Sequence, residues 1–215
     1  MMNDLPNPVD LIKLAEPDNL DVAARLAREK LGALDPAVVA ARCGAGIVDG
    51  GLELVYLGTT LHVRLPGWLI HYAGGPELNP YEQVLVLHYL ASSDPVPPPD
   101  DPITFTEVPS GEFYGSAFDR RAKIPLLAAF GEDPERAIAC AAPYGGTRAE
   151  HGDLAVSVRA LPNVKIILVF WKGDNEFPPD VKLLLSSSIA SFLSTEDIAH
   201  LAGLTASRII KESRR

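Results

Sequence analysis

The chain has 215 residues, 47% of them hydrophobic and 22% charged, with a formal net charge of −9. Those proportions belong to a folding globular protein and exclude a disordered or fibrous class. An acidic balance without a stripe of Lys and Arg speaks against nucleic acid as a partner, because phosphate must be neutralised by clustered cations.

A length of this order suits one domain, and one domain over residues 1–215 is expected. The most apolar stretches, Val164 to Trp171 and Leu183 to Leu193, fall far short of the roughly 20 residues that span a bilayer, so no membrane partner is expected. Met1-Met2-Asn3-Asp4-Leu5-Pro6 has no basic cluster leading into an apolar run, so a secretory signal is not expected and a cytoplasmic location is. Cys43 and Cys140 each stand without a second thiolate or imidazole nearby. No disulfide framework, structural zinc or cysteine-ligated iron–sulfur cluster is therefore expected, and both read as buried small hydrophobes.

Asn19 to Leu34 reads as a helix capped at Asn19 or Asp21, and a second short helix follows Asp35-Pro36 and stops at Cys43-Gly44. From Gly50 the period changes to two. Leu52, Leu54 and Tyr56 alternate with Glu53 and Val55, and after a turn at residues 57–60 Leu61, Val63 and Leu65 alternate with His62 and Arg64. That is a β-hairpin, with Trp68 to Tyr72 as a third antiparallel strand. Asn79-Pro80 opens a helix to Leu90 that is apolar on most sides and so buried.

Residues 94–102 are proline-rich and acidic and are expected to form an extended, exposed loop. Ile103 to Val108 then reads as a strand, Phe113 to Phe130 as a helix disturbed at Pro125, and Asp133-Pro134 as the start of another helix to about Ala142. Leu154 to Ala160 and Lys165 to Trp171 make the strongest strand pair, the second apolar enough to be covered on both faces. Val181 to Phe192 fits helix or strand, and Ser194-Thr195-Glu196-Asp197 caps a final helix. The predicted class is α+β, a mixed, mostly antiparallel sheet packed by helices.

If those two strands pair, Asp153 and the segment holding Asp174 and Glu176 come to one end of the sheet. Paired carboxylates there would serve as a ligand or metal site, or divide acid and base roles; the same Gly-Asp and Gly-Asp-Asn spellings are also ordinary turn chemistry. His88 on the apolar helix is a further candidate ligand or base, or a satisfied core imidazole. His62 and His71 sit on adjacent predicted strands with no carboxylate adjacent in sequence. Tyr144-Gly145-Gly146-Thr147 lacks the surroundings of a phosphate loop, and serines 186–188 lack a neighbouring histidine.

Several segments taken in order form a pattern: Val86-Leu87-His88-Tyr89-Leu90, Phe105-Thr106-Glu107-Val108-Pro109 with Gly111 and Tyr114, Phe130-Gly131-Glu132-Asp133-Pro134, Gly145-Gly146, Gly152-Asp153, Gly173 to Pro178 and Leu193 to Asp197. Together they resemble the DUF3786 family, an uncharacterised group found largely in anaerobic microbes. The resemblance implies a shared fold and an association with iron–sulfur or one-carbon metabolism, with a small molecule or a redox or one-carbon-metabolism protein as partner. The cysteine-rich part carried by some relatives is missing here. At Leu184-Leu185-Ser186 the family pattern implies an acidic residue after the apolar pair.

The leading expectation is a binding or accessory protein with a pocket for a small molecule, cofactor or metal near Asp153, Asp174, Glu176 and His88. An enzyme using the carboxylates as acid and base is one alternative. An interaction module docking through the proline-rich loop is another.

Overall fold

The computed structural model describes residues 17–92 and 101–215. Helix α1 (Pro17–Gly32) begins before the predicted cap, so Asn19 and Asp21 lie within its first turns. It buries Ala24, Ala27 and Leu31. In α2 (Pro36–Cys43) the Asp35 carboxylate accepts from the Ala37 amide at 2.8 Å and Gly44 ends the helix at φ +64°, the cap and stop that the sequence spells.

The first sheet joins β1 (Gly46–Val48), β2 (Gly51–Tyr56), β3 (Thr59–Arg64) and β4 (Leu69–Tyr72) in that order, every pair antiparallel. Leu52, Leu54, Tyr56, Leu61, Val63 and Ile70 face the core, while Glu53, His62 and His71 share the other face across the register. Helix α3 (Pro80–Leu90) is capped by Asn79, whose side chain accepts from the Glu82 amide. It is buried on most sides, as its composition predicts.

The proline-rich segment falls mostly outside the described residues. Strand β5 (Pro102–Thr104) is shorter than the predicted strand to Val108, and residues 105–107 form a 3-10 turn instead. The Glu107 carboxylate reaches back to both the amide and the hydroxyl of Thr104, each at 2.7 Å, and this local capping outcompetes an extended backbone. The predicted helix 113–130 is α4 (Gly111–Phe118), a π-helical turn at residues 119–123, and α5 (Ile124–Phe130). Pro125 cannot donate an amide hydrogen bond, and the wider turn just before it absorbs the lost bond.

After α6 (Glu135–Ala141) come β6 (Gly146–Ala149), β7 (Leu154–Leu161), β8 (Val164–Trp171), β9 (Asp180–Ser186), α7 (Ile189–Phe192) and α8 (Thr195–Glu212). The second sheet runs β5-β9-β8-β7-β6, again antiparallel throughout. The ambiguous stretch 181–192 is thus a strand and then one helical turn. In β8, Val164, Ile166, Leu168 and Phe170 enter the main core, while Ile167 and Val169 pack with Ala155 on the opposite face. The central strand is therefore covered on both sides, as its unbroken apolar run implies. The fold is α+β.

One core draws side chains from both sheets and from the helices. At the join, the Leu57 amide donates to the Ala160 carbonyl at 3.0 Å. Beside it Gly58 has φ +73°, and a Cβ there would stand 2.7 Å from the Pro143 carbonyl oxygen and the Tyr144 Cα. A side chain at that position meets fixed backbone, so the turn between β2 and β3 nests under residues 142–144 only as glycine.

Candidate functional site

The cap of α8 is where the first half of the chain meets the last. Ser194 Oγ accepts from the Asp197 amide at 3.2 Å, and Asp197 Oδ2 accepts from the Ser194 amide and hydroxyl at 3.3 and 2.7 Å, a capping box with Asp in the third position. The same Oδ2 lies 2.9 Å from Nδ1 of His88 on α3. This hydrogen bond raises the His88 pKa above its ordinary value, prevailing over the opposing effect of burial. His200, one turn along α8, stacks on Tyr81 with ring centres 5.7 Å apart. Its Nε2 is buried and has no hydrogen-bond partner among the described residues. Burial, and then Arg121, lowers its pKa.

His88, His200, Tyr81, Asp197 and Arg121 line one cavity of about 230 Å³ between α1, α3, the π turn and α8. Arg121 reaches the wall from the π turn and has no ion-pair partner among the described residues. Chemically the cavity presents a permanent cation at Arg121, the His88 imidazole biased toward its charged form by the Asp197 carboxylate beside it, the His200 imidazole biased toward its neutral form, and a second carboxylate at Glu196, set among Leu20, Val84 and Leu85. Ser194, Asp197 and His88 are not wired as a nucleophilic triad. The hydroxyl donates to the carboxylate rather than to the imidazole, so His88 is not placed to take its proton.

The Asp197 link makes a pH prediction. A folded-state pKa raised above the unfolded one contributes stability that is full below about pH 6.5, the unperturbed histidine value, and is lost as pH rises through the higher folded value. Asp197→Asn should lower the His88 pKa in an NMR titration and reduce the loss of stability between pH 6 and 8.5. An unchanged His88 titration would show that the pair does not couple in solution.

The other predicted site residues lie elsewhere. The register Leu154↔Phe170 sets Asp153 and the segment after Trp171 at one end of the second sheet, where the Asp153 carboxylate accepts from the Lys172 amide at 2.8 Å. Asp174 Oδ1 accepts from the amides of Glu176 and Phe177, both at 2.8 Å, and these bonds lower its pKa. Asp174 lines a cavity of about 410 Å³ with Glu132, Lys172 and Phe177, to which Asp153 and Glu176 do not contribute. His88 belongs to the different cavity already described. Ser186, where the family pattern implies an acid, pairs with Pro102 and holds the Lys165 amide at 2.9 Å. That is the opposite end of β9 from Asp180, which faces Trp171, so an acid there would not join Asp174.

The histidines at 62 and 71 do face one another, with ring centres 5.7 Å apart. The strand register supplies the carboxylate that the local sequence lacks, placing Glu53 Oε2 3.1 Å from His62 Nε2. Among the described residues, however, no group of three or more His, Cys, Asp or Glu side chains is placed to hold a metal ion. Cys43 and Cys140 are buried thiols, with Cys43 directed at the Tyr89 and Leu90 carbonyls.

A second polar cluster is enclosed in the core. Glu82 Oε1 accepts from the Arg208 guanidinium at 2.6 Å, Glu82 Oε2 accepts from the Tyr72 hydroxyl at 2.9 Å, and Arg208 lies 5.0 Å over the Tyr56 ring. Burial opposes the charge on Arg208, yet Tyr56 and Glu82 hold its pKa above the ordinary value. The cluster is a strut between the first sheet, α3 and α8.

Sequence reasoning reached His88 but passed over Asp197, His200, Tyr81 and Arg121. The signal available was the spacing Asp197-x-x-His200, which puts both side chains on one face of the last helix.

No helix among the described residues is long and apolar enough to cross a membrane. No curated protein and no solved structure matches the chain. A family model described as a domain of unknown function, DUF3786, matches residues 35–208, a span that holds all five cavity side chains named above. The match takes in most of the sequence, and the chain belongs to the DUF3786 family.

Proposed function

We propose that this protein binds a small anionic ligand in the cavity at His88, with Arg121 as the principal counter-charge. The observation that carries the reading is the Arg121 guanidinium, without an ion-pair partner among the described residues, in a wall it shares with His88 and His200. A guanidinium offers a fork of donors matched to carboxylate or phosphate. The His88 imidazole, held toward its charged form by Asp197, offsets that carboxylate in the same wall, so the pair as a whole does not repel an anion. His200, held toward neutrality, supplies one donor and one acceptor, and Tyr81 stacked on it fixes the ring.

Calorimetric titration of the full chain with acetate, phosphate and sulfate tests the reading. At least one of these should bind at pH 6, and affinity should fall by pH 8.5 as His88 loses its proton. Arg121→Gln should weaken binding about tenfold or more, the range expected when a charge-assisted hydrogen bond is removed. Binding that is absent for all three anions, or indifferent to Arg121→Gln, would overturn the assignment.

A further inference from the structure

The outer face of the first sheet carries a row of side chains that the cavity at His88 does not use. The register sets Glu53 opposite His62 and His62 opposite His71, and a further antiparallel bridge sets His71 opposite Glu77. Directly opposite residues share a face, so four successive positions across the sheet read Glu, His, His, Glu. The next row on that face holds the cation Arg64, between Gly51 and Leu69. The row itself holds none.

Both imidazoles keep a nitrogen in reserve. His62 Nε2 lies 3.1 Å from Glu53 Oε2; the carboxylate accepts, so the proton is assigned to that nitrogen and Nδ1 of the neutral ring keeps its lone pair. On His71 it is again Nδ1 that has no hydrogen-bond partner, although it is buried. Such an atom calls for a water or an ion. The ring centres stand 5.7 Å apart with the planes at 88°. Two imidazoles sharing one tetrahedral ion through bonds of about 2.1 Å have centres roughly 5 Å apart. A histidine ring turns about its last bond within a broad minimum, and turning the ring that shows its face brings both edges toward one point.

We propose that His62 and His71 chelate a divalent transition-metal ion on the outer face of the first sheet. Glu53 stands behind His62 as a positioning residue, since a carboxylate hydrogen-bonded to a ligating imidazole fixes its tautomer and strengthens the donor. Among the described residues no third protein ligand is placed to close the site. Water therefore completes the coordination, reaching it past side chains 39% exposed at His62 and 43% at Glu53. Imidazole ligands favour copper, nickel and zinc, whereas magnesium and calcium require oxygen ligands. The carboxylates at the two ends of the row favour any cation.

Titration of the full chain with Cu²⁺, Ni²⁺, Zn²⁺ and Mg²⁺, followed by calorimetry and by NMR of the histidine rings, tests the site. Cu²⁺ should bind most tightly, Ni²⁺ and Zn²⁺ less so, and Mg²⁺ not at all. Substoichiometric Cu²⁺ should broaden the His62 and His71 ring signals before those of His88, His151 and His200. His62→Gln and His71→Gln should each weaken Ni²⁺ binding at least tenfold, because a lone imidazole loses the effective concentration of the second. Glu53→Val should weaken it about tenfold and move the ring ¹⁵N shifts of His62, which report its tautomer.

First broadening at His88, His151 or His200 would overturn the proposal, and that observation needs no variant to fold. Ni²⁺ affinity indifferent to both histidine substitutions would overturn it as well. Mg²⁺ bound as tightly as Ni²⁺ would do the same, because the carboxylates and not the imidazoles would then hold the ion.

Discussion

Arg208→Met is expected to destabilise the protein by about 3 kcal/mol or more, the cost of stripping one partner from a buried ion pair. The Glu82 side chain is 5% exposed and that of Arg208 is 19% exposed. After the substitution the carboxylate keeps only the Tyr72 hydroxyl from its present side-chain partners. For a chain of this size the loss should appear as a fall in melting temperature of roughly 6–12 °C.

The paired substitution Glu82→Leu with Arg208→Met distinguishes this cause from simple loss of packing. Replacing both charges by apolar groups removes the unpaired carboxylate, so the double variant should be more stable than Arg208→Met alone. A double variant that is as unstable as the sum of the two single variants would show that the pair does not act as a unit. Arg208 also covers the Tyr56 ring, so methionine, which keeps a long side chain there, is a fairer probe than alanine.

Phe170→Ala is expected to cost about 3–5 kcal/mol through the cavity it leaves. Phe170 is fully buried near the end of β8, between Leu154 on β7 and Val181 on β9, with its ring edge-on to Phe130 at 6.4 Å. The residue before it, Val169, belongs to the small cluster on the opposite face with Ile167 and Ala155. A methylene deletion there, Ile167→Val, should cost only about 1 kcal/mol. Urea denaturation compares the two: the midpoint should shift several times further for Phe170→Ala, with similar slopes. Equal shifts would mean that the two faces of β8 contribute alike, contrary to the burial pattern.

The elements most legible in the sequence were those whose pattern is local. The β2–β3 hairpin showed alternation and a turn, and α2 and α3 showed caps at Asp35 and Asn79 that the structure uses. Strands β1 and β6 were not legible. Each is short, begins at a glycine and lies at a sheet edge, so neither carries enough alternating burial to be seen. The stretch 181–192 was ambiguous because apolar content alone does not choose a period; pairing with β8 chooses strand as far as Ser186.

The same division governs the cavity. The type of residue at His88 was visible, but its partner Asp197 is 109 positions away, and no periodicity links α3 to the start of α8. Arg121 was hidden for another reason. Its place on the cavity wall depends on the π turn, which shifts the helical register by one residue ahead of Pro125. The turn chemistry at Asp174, by contrast, could be read from Gly173-Asp174-Asn175 alone.

The joins between the two halves of the chain bear on synthesis as well as stability. Leu57 waits for Ala160, His88 for Asp197 and Glu82 for Arg208. A ribosome delivers the first sheet and α3 long before α8 exists, so during that interval the Glu82 carboxylate destined for the core has no Arg208 counter-ion. The three bonds that join the halves form only once the last described helix has emerged, so final packing of the early half waits for the end of synthesis.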